Sequence, residues 1–414
     1  MNRGKQRAIV PRGAIRYLAS VALIACSSND GSEENSADSA NGGSSPAVEG
    51  GAGPQNEAPA SPPPGSSSSE TPGGSGTPAA SSEPQNEALP LTPAMMMPAG
   101  TAGGTDEPAS SAEGPLGAPM QQPLTDLVSV RQEHAVAALG GEIYVIGGFT
   151  PMVTGSVEAF NPATDTWRAV ASLPTPLHHA NAATIDGRIY VAGFYLGGSF
   201  TNADARVLQY DPGTDAWSER APMPAGTERA SACVAALDGK LYVFGGARAT
   251  TVTDASVYDV AADSWQALPP LPEPREHCVA GAIAGSIYIA SGRAGGITGF
   301  QPNTWQFDPA TETYTPRAPI ATPRGGTAGA VLAGRLIIVG GEGNPAPTSL
   351  GVFTNVEAYD PLSDSWQALP PMLQPRHGFG AAASEGRIFL PGGAAAQGFG
   401  AVDAHTVLSF AAAP

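Results

Sequence analysis

The side chains with chemical reach recur at intervals along this chain. Arginine stands at Arg131, Arg229, Arg275, Arg324 and Arg376, with Pro176 where a further one would fall. His134, His178, His179, His277 and His377 follow close behind, and Glu133 and Glu276 lie among them. Arg248, Arg293 and Glu342 come just past glycine-ended apolar runs. Guanidinium clusters suit carboxylates, phosphates or acidic peptides. Three or four convergent imidazoles would make a metal site. Glu133, Glu276 or Glu342 beside an arginine would suit acid–base work. Solvated loop histidines are the default, so no metal, no cofactor and no catalytic residue is assigned. The ligand-binding candidates are Glu133, His134, His178, Arg248, Glu276, His277, Arg293, Glu342 and His377.

What must position these residues is a repeat. FNPATDTW (160–167), YDPGTDAW (210–217), YDVAADSW (258–265), FDPATETY (307–314) and YDPLSDSW (359–366) align, and their last aromatics are spaced by 50, 48, 49 and 52 residues. A glycine-ended apolar run precedes each: EIYVIGG (142–148), RIYVAGF (188–194), KLYVFGG (240–246), SIYIASG (286–292) and RLIIVGG (335–341), with a sixth copy, RIFLPGG, at 387–393. The first run of every repeat is small, as in AVAAL (135–139) or AGAVL (328–332), the second is bulkier, and the aromatic closes the outermost. That gradient is what wedge-shaped sheets around a shared axis demand. Turn chemistry agrees, because proline presets φ and Asp or Asn caps its own turn. No helical periodicity separates the runs, which excludes a βα barrel.

The pattern resembles the kelch repeat, whose period is near 50 residues, and the resemblance covers about 290 residues. It implies an all-β, six-bladed β-propeller over 121–414 with four antiparallel strands per blade. The last repeat reaches VLSF (407–410) without an outer strand, while PLTDLVSVRQEH (123–134) aligns with ALPPLPEPREH (267–277), placing Leu124 on Leu268 and Arg131 on Arg275. Residues 124–130 are therefore expected to supply the outer strand of the sixth blade and to close the ring. Inter-blade connections and the loops between second and third strands then share one face, and every histidine, His405 included, is expected there. In kelch binding modules the residue two after the arginine commonly lines the central pocket, which here selects Glu133, His178, Ser231, His277, Gly326 and Gly378. The repeated arginine itself resembles the family's structural arginine, so Arg131, Arg229, Arg275, Arg324 and Arg376 are read as structural or binding residues. As strand neighbours, His178 and His179 would face opposite ways.

The N-terminus carries an address. Arg3, Lys5, Arg7, Arg12 and Arg16 precede a short apolar run, YLASVALIA (17–25), too short to span a bilayer. Leu23-Ile24-Ala25-Cys26 resembles the lipobox of bacterial lipoprotein signal peptides, which implies cleavage of residues 1–25 and lipidation of Cys26. Ser27 resembles the outer-membrane sorting pattern. Residues 26–120 form an acidic Ser/Gly/Pro/Ala-rich tether. From 27 to 120 it lacks Phe, Trp, Tyr, Ile, Lys and Arg and carries 12 acids, so it cannot bury enough apolar surface to fold. As a coil it would span about 50–60 Å, holding a domain clear of a membrane.

The net charge of −17 argues against nucleic acid as a partner. Three cysteines exclude a disulfide-dense scaffold. Cys233 and Cys278 occupy opposite registers of adjacent first strands, so they are expected to be buried thiols, not a disulfide. The leading functional expectation is a monomeric, lipid-anchored cell-envelope binding module, probing a protein or glycan with its Arg/His-bearing face. The kelch resemblance admits an enzyme alternative, sugar-mutarotase-like or galactose-oxidase-like. The copper class needs two tyrosines and two histidines at one centre, and only Tyr195 is free of a repeat role. A third reading is a purely structural surface protein.

Overall fold

The computed structural model describes residues 116–410. The expected signal segment 1–25, Cys26 and the expected tether up to residue 115 lie outside the described residues. Every strand pairing described is antiparallel, and six four-stranded sheets follow the repeats. Sheet 1 is Ala135–Leu139, Glu142–Ile146, Val157–Asn161 and Thr166–Val170. Sheets 2 to 5 repeat this order within 181–220, 233–268, 279–317 and 328–369. Sheet 6 joins Ala382–Ser384, Arg387–Pro391 and His405–Ser409 to Met120–Pro123, which pairs with His405–Ser409 from Met120↔Ser409 to Pro123↔Thr406.

The N-terminal strand thus ends where 124–130 was expected to begin. Leu124 N–H still donates to His405 O at 2.9 Å, the place Leu268 holds opposite Ala255 in sheet 3. The equivalence of Leu124 and Leu268 holds. Leu268, however, is the last residue of its strand, so the strand lies upstream, in MQQP, which carries no aromatic signature.

First strands touch in cyclic order: sheet 1 to 2, 2 to 3, 3 to 4, 4 to 5, 5 to 6, and 6 to 1. They can do so because they are built of small residues. The channel they leave, about 70 Å³, is lined by Ala137, Ala183, Ala235, Gly281 and Ala330 among others. Apolar clusters fill each interface between successive sheets, and another, with Val136, Ile143 and Phe160 against Phe389 and Val407, joins sheet 6 to sheet 1.

The sequence signatures are inter-sheet fasteners. The outer aromatic donates to the chain entering its sheet from the one before: Trp217 Nε1 to Ala171 O (2.8 Å), Trp265 Nε1 to Ala221 O (2.9 Å), Trp366 Nε1 to Ala318 O (2.9 Å). The acid two residues earlier accepts from the same link, as Asp215 does from Ala171 N–H (2.9 Å) and Asp364 from Ala318 N–H (2.9 Å). The repeated arginine works at the other end. Arg376 is buried and donates to Leu390 O, Ala404 O and Thr406 Oγ1 of sheet 6 at 2.7–3.1 Å, while its own carbonyl accepts from Gly341 N–H of sheet 5 at 2.9 Å. Arg131, Arg229, Arg275 and Arg324 are equally buried and bond carbonyls of the sheet that follows them. Glycine is needed at such crossings: Gly246 has φ +102°, and a Cβ there would lie 2.7 Å from Ala230 O.

Cys233 and Cys278 form a disulfide with Cα atoms 5.3 Å apart, contrary to the expectation of two thiols. Opposite registers are in fact required. The face that sheet 3 turns toward sheet 4 is the opposite of the one sheet 4 turns back, so residues of opposite register meet across the interface.

Candidate functional site

Entering each sheet, just before the first strand, one residue adopts a left-handed conformation: Glu133 (φ 54°), His179 (55°), Ser231 (54°), His277 (51°), Gly326 (62°) and Gly378 (61°). Five backbone hydrogen bonds among the described residues join them head to tail, with a gap between His277 and Gly326. Glu133 N–H donates to Gly378 O (2.5 Å), His179 to Glu133 O (2.9 Å), Ser231 to His179 O (3.0 Å), His277 to Ser231 O (2.9 Å) and Gly378 to Gly326 O (2.9 Å). This collar surrounds a cavity of about 40 Å³, room for one or two waters.

His179, not His178, holds the second position of the collar. The place of the missing arginine is taken by Leu177, whose carbonyl accepts from Gly148 N–H at 2.8 Å, so counting from Pro176 falls one residue short. The left-handed residue also breaks strand alternation. His178 and His179 therefore do not diverge: their Nδ1 atoms lie 2.5 Å apart.

The side chains on the collar and one layer above form a charged knot. Glu133 Oε2 lies 3.5 Å from His179 Nε2 and 4.0 Å from His277 Nε2. Its Oε1 lies 3.9 Å from His377 Nδ1, which is 3.7 Å from Glu342 Oε2. Arg293 is clamped between Glu276, at 3.0 Å, and Glu342. Gly378 leaves the space that the Glu133 carboxylate fills. Burial works to raise the Glu276 pKa, but His277 and Arg293 hold it down, to about 2. The Arg293 guanidinium is raised by Glu342 and Glu276 against the cost of its burial. Burial drops His178 to about 4 and, with His277 and His178 nearby, puts His179 well below the usual imidazole range.

Six of the nine sequence candidates meet here: Glu133, Glu276, His277, Arg293, Glu342 and His377. His178 stands directly behind the knot, its Nε2 3.0 Å from Ser199 O. His134 turns away to Pro391 O (3.0 Å), where burial lowers its pKa to about 3. Arg248 is paired with Asp254 in its own loop. His405 is away from the collar: it opens the third strand of sheet 6 and packs on Phe160, ring centroids 4.5 Å apart. Five histidines are buried, so they are not solvated loop residues. The arginines do not make an anion-binding mouth either. Five are consumed in the fasteners, and Glu133, Glu276 and Glu342 outnumber Arg293.

Aromatics close over the knot. Phe149 packs on His178 (4.5 Å), Phe200 (6.3 Å) and Phe399 (5.8 Å). Tyr195, pushed up to about 12 by burial, lies 5.5 Å from His178 and donates to Ala247 O at 3.3 Å. The sequence marks these loop aromatics only as lacking a repeat role. His179 was visible beside His178 but could not be ranked above it.

Fasteners, small inner strands and a polar collar define a β-propeller. The profile described as the KLHDC2/KLHL20/DRC7 Kelch-repeats domain matches residues 120–271 and 197–393. The chain belongs to the kelch-repeat family. It is similar to Kelch-like protein terF of Aspergillus terreus, 35% identical over 289 residues, which cover 65% of this chain and 62% of that one. It is also similar to Kelch-like protein 34 of Homo sapiens, 31% identical over 255 residues, 58% of this chain and 38% of the relative. The chain thus spans less than two thirds of either curated relative. The solved structure titled "Structure of YjhT" superposes with a TM-score of 0.56 at 17% identity, over 69% of this chain and 99% of that one.

Proposed function

We propose that the six sheets form one closed six-bladed propeller, sealed by the N-terminal strand, which acts as a lipid-anchored, monomeric protein-binding module of a bacterial envelope. The cyclic contacts of the first strands, the collar of hydrogen bonds and the apolar cluster between sheets 6 and 1 support closure. Leu23-Ile24-Ala25-Cys26 and the acidic tether support export and an outer-membrane anchor, with acyl chains contributing about 0.8 kcal/mol per buried methylene. A disulfide between Cys233 and Cys278 suits an oxidising compartment.

The observation that carries the binding role is the rim. Loops between second and third strands expose one large apolar side chain each in five sheets: Met152 (76%), Phe200 (45%), Ile297 (53%), Leu350 (68%) and Phe399 (68%). An apolar array of this kind around a polar centre marks a protein-docking surface. The loops also brace one another, as Gln397 N–H donates to Leu350 O at 2.9 Å and Gln132 to Gly398 O at 2.8 Å. Chemistry on a free sugar is poorly served by a central cavity of about 40 Å³, since small-molecule pockets run to roughly 300–1,000 Å³.

A photo-crosslinking residue at Phe399, in cells that express the protein, should capture a protein adduct. The same residue at Leu362, in a turn on the opposite face, should not. Equal capture at both, or none at Phe399, rejects the rim as a protein site, and glycan-array binding without an adduct would reassign it to glycans. Fatty-acid labelling that is lost in Cys26→Ser tests the anchor.

A further inference from the structure

We propose that Glu133, His179 and His277 bind a divalent first-row transition ion of the zinc type at the centre of the collar. The carboxylate oxygen and two imidazole nitrogens lie within 4.8 Å of one another. Ligands held at 2.0–2.2 Å by a tetrahedral ion sit about 3.4 Å apart, so contraction of at most about 1.4 Å would complete the triad. The 3.5 Å between Glu133 Oε2 and His179 Nε2 is already there.

Hydrogen bonding determines which nitrogens carry lone pairs. Ser199 O only accepts, so His178 Nε2, 3.0 Å away, is the N–H that donates to it. In a neutral His178 the Nδ1 is then bare, and His179 Nδ1, 2.5 Å away, must carry the proton. This leaves the lone pair of His179 Nε2 aimed at a carboxylate. The same logic applies to His277. Arg293 Nη2, which only donates, faces Nε2 at 3.4 Å, so the proton sits on Nδ1, toward Glu276 at 3.6 Å. The His179 Nε2 lone pair thus faces the Glu133 carboxylate with no proton between them, while the His277 Nε2 lone pair accepts from Arg293 Nη2, a hydrogen bond that an entering ion would replace. The buried Ser231 Oγ, at the collar position between the two histidines, also has no hydrogen-bond partner.

Charge agrees. Three carboxylates, Glu133, Glu276 and Glu342, surround the guanidinium of Arg293, and their side chains are 4–14% exposed. A bound cation adds favourably to that set, whereas a further buried anion would be costly. The ligands sit on backbone locked by the collar, and His178 acts behind His179 as an orienting partner, the arrangement that raises ligand basicity at metal sites. The triad is independent of the rim's docking role, because metal uptake is read on the isolated chain.

The test uses the full chain, purified with chelator and titrated with Co²⁺. Visible d–d absorption should rise to about one ion per chain and be displaced by Zn²⁺. His179→Gln and His277→Gln should each lower Co²⁺ affinity by about 100-fold or more, and His178→Gln by about 10–100-fold. Glu133→Gln, nearly isosteric, should lose the band with the near-UV circular dichroism of the fold retained. His405→Phe should leave uptake unchanged. Absence of the band in the unmodified chain overturns the assignment, whatever the variants do. So does wild-type uptake by the His179→Gln/His277→Gln double variant.

Discussion

Single residues here act mostly by where burial puts them. His405 shows this away from the collar. Its ring lies against Phe160 and Trp167, and Nδ1 is 3.3 Å from Thr125 O. Burial first, with Arg376 adding to it, lowers its pKa from 6.5 to about 4. The sign follows directly. Above pH 6.5 both folded and unfolded states are neutral at this group, and its contribution to stability is intact. As pH falls toward 4 the unfolded chain takes up a proton that the folded chain refuses, so stability is lost across that window. A shift of this size is worth up to roughly 3 kcal/mol. Urea melts at pH 7 and pH 4.5 should therefore differ less in His405→Phe than in the unmodified chain. An identical pH dependence in the two proteins would contradict the assignment.

At the scale of elements, sheets are fastened near the axis by the arginine at every junction except that of sheets 1 and 2, where Leu177 stands, and at the perimeter by an Asp–Trp pair in sheets 1, 2, 3 and 5, with Tyr314 donating to Pro269 O in sheet 4. The disulfide adds a covalent fastener between sheets 3 and 4. Its sequence separation of 45 residues corresponds to roughly 4 kcal/mol by the loop-entropy relation. Reduction, or Cys233→Ala with Cys278→Ala, should lower the urea midpoint by the corresponding amount with the m-value little changed; equal midpoints with and without reductant would show that the bond carries no stability. This scale was the most legible in the sequence. Asp215, Trp217 and their counterparts sit at invariant offsets because each satisfies a specific backbone group of the preceding link, so the repeat could be counted before any coordinates. The failures were failures of phase. Leu177 in place of arginine shifted His179 out of the counted position. Opposite registers argue against a Cys233–Cys278 disulfide only while each strand is read alone; facing sheets present opposite registers to one another, a property of the arrangement that no single strand carries.

At the scale of the whole molecule, the site exists only because distant repeats are brought to one collar. Glu133 enters from sheet 1, His179 from sheet 2 and His277 from sheet 4, and no local pattern links them. The repeat nonetheless made the collar positions Glu133, Ser231, His277, Gly326 and Gly378 legible; the place of His179 and the distances at which the side chains meet were not. The same dependence makes the N-terminal strand decisive. Met120–Pro123 covers His405–Ser409, Leu127 packs in the cluster between sheets 6 and 1, and Arg131 N–H donates to Val402 O at 3.0 Å. Without this strand, sheet 6 would present His405–Ser409 as an unpaired edge, a template for association between chains. A chain beginning at Leu116 should keep the melting transition of the full chain and remain monomeric by light scattering. A chain beginning at Leu124 should melt earlier and associate in a concentration-dependent way. If metal uptake at the collar follows the proposal, the shorter chain should also bind Co²⁺ more weakly, because Glu133 lies on the same segment, ten residues beyond the lost strand. Equal melting and equal uptake in the two chains would show that sheet 6 holds the ring without its N-terminal partner.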